Sequence, residues 1–128
     1  MSNSIVLLAH GARDPEWARP IEAMAARLRN LLPGTEVTLA FLEFMPPDID
    51  VAVNALAARG ARHIRVVPVF LAQAGHVKRD LPPRVAALRA SLSVAHPELI
   101  IELEPAIGEQ DEVIDAIARS VARIAGKA

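Results

Sequence analysis

A chain of 128 residues, 52% hydrophobic, reads as one globular domain over residues 1–128 with enough apolar surface for a core. A net charge of −1 and 3% aromatic content argue against a nucleic-acid surface, which needs a basic field or a stacking platform. With no cysteine there is no disulfide and no thiolate-held metal or iron–sulfur cluster. Neither a basic leader nor an apolar run of membrane length is evident, so a cytoplasmic protein without a membrane partner is expected.

Taken in chain order, the first strand candidate is Ile5 to Ala9, followed by His10-Gly11-Ala12-Arg13-Asp14. Asp14-Pro15 offers a helix N-cap with proline at the first helical position. The stripe Ile21, Met24, Ala25, Leu28 and Leu32 predicts a helix that either kinks or restarts at Pro20 and stops near Gly34. Glu36 to Leu42 is the second strand, with Glu43 just past its end. Ile49, Ala52, Val53 and Leu56 predict a second helix, stopped near Gly60. His63 to Leu71 is the third strand; like the first it is apolar at nearly every position, as expected of a strand covered on both faces. Asp80 before Leu81-Pro82-Pro83 predicts a helix start, with the prolines in a first turn, and Val85, Leu88 and Leu92 continue that helix. Leu99 to Leu103 is a fourth strand, and Ile114, Ile117, Val121 and Ile124 form the last helical stripe.

Strands alternating with helices predict an α/β fold of three layers, with a four-stranded parallel sheet in the order 2-1-3-4. Strands 1 and 3 then lie centrally, and the topological switch point falls between their carboxyl ends, where α/β sheets bind ligands. His10 follows strand 1, His76 follows strand 3 after Ala72-Gln73-Ala74-Gly75, and Glu43 follows strand 2. Two neutral imidazoles on one rim can hold a divalent transition metal, and a nearby carboxylate can be a further ligand, a proton acceptor or both. That donor set suits Co, Ni, Fe(II) or Zn better than Mg or Ca. Gly11 and Gly75 fit a need for backbone to come close to a bulky ligand. Arg13, Lys78 and Arg79, together with two helix N-termini, would attract an anionic ligand. His63 and His96 precede strands 3 and 4, so they fall on the opposite rim and serve as internal controls, while Asp14 and Asp80 read as helix caps.

The runs Leu8-Ala9-His10-Gly11-Ala12-Arg13-Asp14, Phe41-Leu42-Glu43-Phe44 and Gly75-His76-Val77-Lys78-Arg79-Asp80-Leu81-Pro82 resemble those of the small class II chelatases, the sirohydrochlorin cobaltochelatase and ferrochelatase family. The resemblance covers nearly the whole chain, with three motifs in order. It implies a chelatase-like fold and insertion of Co²⁺, Fe²⁺ or Ni²⁺, the metal being a substrate and no organic cofactor being needed. Sirohydrochlorin or a related polycarboxylate tetrapyrrole, on the way to cobalamin or sirohaem, would be the acceptor, and a homodimer the working form. It also implies that His10 and His76 hold the incoming metal and that Glu43 assists them or takes the pyrrole protons. The first motif often has serine where this chain has Ala12, so a hydroxyl there is not essential.

The residues leave two other readings open. One is a phosphohistidine-type phosphatase with His10 as nucleophile, although such a mechanism usually wants an arginine where this chain has Ala9. The other is a metal or tetrapyrrole carrier that uses the same ligands without turnover.

Overall fold

Four apolar runs pair into one parallel sheet in the order β2-β1-β3-β4, as expected from the sequence. The strands are β1 (Asn3–Ala9), β2 (Glu36–Phe41), β3 (His63–Pro68) and β4 (Ile100–Leu103). This computed structural model describes residues 3–72 and 75–127, with the side chain of His76 outside that description. β1 is in register with β2 from Ser4–Glu36 to Ala9–Phe41, and with β3 from Asn3–His63 to Leu8–Pro68. Strand 3 is shorter than its apolar run because Pro68 has no N–H to give the ladder, although Val69 still donates to the Leu8 carbonyl at 2.7 Å.

Helices α2 (Ile49–Ala58) and α3 (Gly75–Leu92) cover one face of the sheet. Asp48 caps α2 by accepting from the Val51 N–H at 2.8 Å, and the whole stripe Ile49, Ala52, Val53 and Leu56 is buried. Against it pack Val6, Leu8, Ile64, Val66 and Ile101 from the strands and Leu81, Val85, Leu88 and Leu92 from α3. Each such large side chain contributes about 1.5–3 kcal/mol by leaving water. Helix α1 (Arg19–Leu31) lies on the other face, over β1 and β2, through Ile21, Ala25 and Leu28. Pro20 restarts the helix rather than kinking it. Asp14 caps a separate 3-10 turn, Pro15–Ala18, by accepting from the Glu16 N–H at 3.0 Å, and α1 begins after it with proline in its first turn.

Three expectations are corrected. Pro82 and Pro83 lie inside α3, which begins at Gly75, so neither the prolines nor Asp80 stands at a helix start. The missing proline N–H groups remove the helical hydrogen bonds that the carbonyls of Lys78 and Arg79 would otherwise accept. The last helix, α4 (Asp111–Ala125), does form, but its stripe is not core: Ile114, Ile117, Val121 and Ile124 are all exposed. Consequently β3 is fully covered on one face only: on the other, Val67 and Val69 are half-buried against the α1 side and Arg65 is exposed. A central parallel strand is normally buried on both sides.

Candidate functional site

The carboxyl ends of β1 and β2 do not separate where the regular ladder stops. The Leu42 N–H donates to Ala9 O at 2.9 Å and the Glu43 N–H to His10 O at 3.1 Å, so His10 and Glu43 are backbone neighbours. Gly11 makes this possible. Its φ is +91°, and a Cβ built there would fall 1.9 Å from the Glu43 carbonyl oxygen. A close approach at Gly11 is thus made by the chain's own backbone. Gly75, with φ +54°, opens α3, and a Cβ added there would meet nothing within 4 Å among the described residues. Only its left-handed conformation favours glycine there.

The His10 imidazole stacks on Phe70, with ring centroids 4.2 Å apart and planes inclined by 28°. Phe70 is buried just past the end of β3, so the residue after one central strand is fixed by a ring following the other. Stacking occupies a face of the imidazole and leaves its edge, where the nitrogen lone pairs lie, free to take a ligand.

His10 and Glu43 line a cavity of about 310 Å³ whose far wall is one face of α3: Val77, Asp80, Leu81 and Arg84. His76 is in the first turn of that helix, one turn ahead of Asp80; how its imidazole is directed lies outside the described residues. Among the described residues there is no ready group of three His, Asp or Glu side chains spaced for a metal. Arg84 is the cation that reaches the cavity, held by Asp50 at 3.4 Å and by the α2 cap Asp48 at 3.8 Å. Lys78 and Arg79 are exposed on α3 and do not line it. Arg13 lies over the ring of Phe44 at 4.6 Å, and both border a second cavity of about 520 Å³ beside the first. Phe44 holds a φ of +70° and is half exposed, a conformation that costs a non-glycine residue of order 1–3 kcal/mol.

Sequence reasoning does not nominate Asp80 and Arg84 for this cavity, and it assigns Asp80 to a cap. Their signal is present as the spacing Val77, Asp80, Leu81, Arg84, one stripe of a helix, but the two prolines point to a helix that starts later. From sequence Phe70 falls inside the third strand and Phe44 closes the second motif, and neither carries a signal that places its ring at this site. The control histidines fall on the other rim, as expected. His63, the first residue of β3, is paired with Glu102 of β4, and His96 lies in the turn before β4. The His63 hydrogen bond holds the Glu102 carboxyl below its ordinary range, helped by the charges of His63 and Arg65.

A parallel sheet of this order, with an imidazole and a carboxylate at the carboxyl ends of its first two strands and a helix across the pocket from them, defines a chelatase-like α/β protein. The chain belongs to the CbiX family, whose model matches residues 4–124. It is 37% identical over 79 residues to a sirohydrochlorin cobaltochelatase of Methanococcus aeolicus, a stretch that is 62% of this chain and 55% of that one. The fold matches a CbiX protein of Marinobacter aquaeolei VT8 with a TM-score of 0.83 at 28% identity, over 98% of this chain and 99% of that one. It also matches the sirohydrochlorin chelatase SirB of Bacillus subtilis subspecies spizizenii in complex with cobalt, with a TM-score of 0.76 at 27% identity. That match takes in 97% of this chain but 51% of SirB. The chain thus spans about half the length of the SirB relative. Among the described residues no helix is long and apolar enough to cross a membrane.

Proposed function

We propose that this chain is a sirohydrochlorin metal chelatase that inserts Co²⁺ or Fe²⁺, with Ni²⁺ a further candidate, and works as a cytoplasmic homodimer. The observation that carries the reading is the backbone-locked pair His10–Glu43 facing α3 across one cavity, in a chain of the CbiX family. The half-length match to SirB supports the dimer, since one sheet supplies a single wall for a ligand as broad as a tetrapyrrole.

Metalation exchanges two pyrrole N–H protons for one divalent ion. The reaction takes M²⁺ and the neutral macrocycle to the metallated macrocycle and two H⁺. His10, and His76 from the first turn of α3, receive the ion as neutral imidazoles, which bind it without the tight grip of a thiolate. Glu43, with Asp80 across the cavity, provides carboxylate oxygens for the departing protons. Arg84 and Arg13 meet peripheral carboxylates of the macrocycle, each charge-assisted hydrogen bond being worth roughly 1.5–3 kcal/mol. Lys78 and Arg79 extend that field toward solvent. Protonated imidazoles cannot ligate metal, so turnover falls in acid.

Anaerobic incubation with sirohydrochlorin and each metal in turn, followed by the absorption change against a no-enzyme control, tests the proposal. Metal and macrocycle bound without acceleration of the change would identify a carrier instead. Release of phosphate from phosphate esters would identify the phosphohistidine reading.

A further inference from the structure

Arg84 shares a cavity with His10 and Glu43, and its charge is answered from another element. Asp50, in the first turn of α2, lies 3.4 Å from its Nε, and the α2 cap Asp48 lies 3.8 Å from a terminal nitrogen. Both approaches are longer than the roughly 2.7–2.9 Å of a charge-assisted hydrogen bond. Exposed pairs elsewhere in the chain close fully: Arg19 meets Glu16, and Arg119 meets Asp115, at 2.8 Å. Asp80, four residues before Arg84 on α3, has the spacing of a ready helical partner. Among the described residues, however, the ion pairs of Arg84 run to α2 alone. The guanidinium is neutralised but not gripped.

We propose that this loose pair is a built-in competitor for the substrate: Asp50 holds the guanidinium of Arg84 until a peripheral carboxylate of the macrocycle replaces it. The inference rests on the chelatase reading above and deepens it, by naming the residue that limits how tightly the macrocycle binds. An unpaired guanidinium in a cavity that receives a divalent ion would repel that ion. With Asp50 as partner before the exchange and a macrocycle carboxylate after it, Arg84 is paired at both stages. The planar fork of an arginine also matches a carboxylate through two parallel hydrogen bonds, a geometry that neither acid adopts here. A substrate carboxylate that does adopt it gains more than the loose pair loses.

The two acids are not equivalent. Asp48 spends one oxygen on the Val51 N–H at 2.8 Å, so the helix start holds it in place whatever Arg84 does. Asp50 is exposed, and its carboxylate is tied to Arg84. Competition can therefore be removed at Asp50 without unmaking the cap of α2.

The test titrates the full chain with metal-free sirohydrochlorin, followed by absorption, in the wild type, Asp50→Asn, Arg84→Gln and the double variant. Asp50→Asn should bind the macrocycle about two- to fivefold more tightly, the range set by an exposed ion pair. Arg84→Gln should bind it roughly tenfold or more weakly. In the double variant the gain from Asp50→Asn should vanish, leaving affinity within about twofold of Arg84→Gln. In metalation assays Asp50→Asn should lower KM for sirohydrochlorin and leave kcat unchanged. Arg84→Lys keeps the charge and loses the fork, so it should also bind more weakly, and it reports if the glutamine variant does not fold. An equal gain from Asp50→Asn in both backgrounds would mean that its charge merely repels a polyanion, and this overturns the exchange. Unchanged or weaker binding in Asp50→Asn, with a lower melting temperature, would make the pair a tether between α2 and α3 and overturns it too. A wild type that binds sirohydrochlorin without metalating it removes the chelatase reading, while the order of affinities still decides the exchange. A wild type that does not bind sirohydrochlorin removes both.

Discussion

Replacing Phe70 by leucine probes how firmly the structure aims His10. The substitution keeps an apolar group under the imidazole but removes the flat ring stacked 4.2 Å from it. Phe70 is 6% exposed, and losing part of a buried aromatic side chain should cost about 1–2 kcal/mol of stability, less than the 3–5 kcal/mol of truncation to alanine. In a domain of this size that lowers the melting temperature by several degrees. The stacking itself is worth about 0.5–1.5 kcal/mol beyond burial. Without it the imidazole must be ordered when metal arrives, so Co²⁺ affinity should fall roughly 2- to 12-fold, at 1.4 kcal/mol per factor of ten. Calorimetric titration with Co²⁺, run well below the melting transition of the variant, gives the affinity, and a thermal melt gives the stability. A variant that loses stability while keeping wild-type Co²⁺ affinity would refute the idea that Phe70 holds the ligand.

Alanine at His10 or His76 should weaken Co²⁺ binding and remove most turnover, checked by titration and by the sirohydrochlorin absorbance assay. Glu43→Gln keeps shape but not basicity. A fall in turnover with little change in metal affinity would make Glu43 the proton acceptor, and a joint fall would make it a ligand. Gly11→Ala forces a side chain onto the Glu43 carbonyl in a positive-φ position, so it should lower the melting temperature and depress turnover by moving His10 away from Glu43. His63→Ala and His96→Ala, on the far rim, should leave turnover within about twofold of wild type, twofold being roughly 0.4 kcal/mol. Glu102 is held below its ordinary carboxylate value of 4.5, chiefly by the His63 hydrogen bond. A lowered folded-state pKa means that its stabilisation is complete above that value and is lost as pH falls below it. Thermal melts should therefore separate wild type from Glu102→Gln at neutral pH and converge in acid.

Much of this protein could be read without coordinates. The dense apolar runs of β1 and β3, the helical stripes between them and the cap at Asp14 are local patterns. A parallel sheet with right-handed crossovers leaves few ways to arrange them. Because strand ends define the ligand-binding rim, His10, Glu43 and the His76 turn could be assigned to one region from sequence order alone. Contacts between distant segments were decided only by tertiary structure. Gly11 is required because the Glu43 carbonyl presses on it, a fact of two strands about thirty residues apart. Asp80 and Arg84 face the cavity because α3 runs through Pro82 and Pro83, where propensity favours a later start and packing of Leu81 and Val85 prevails. The stripe of α4 shows the limit most plainly. Periodicity dictates that a helix form with one apolar face, but which surface covers that face depends on geometry beyond the helix itself, and here the protomer's own sheet does not.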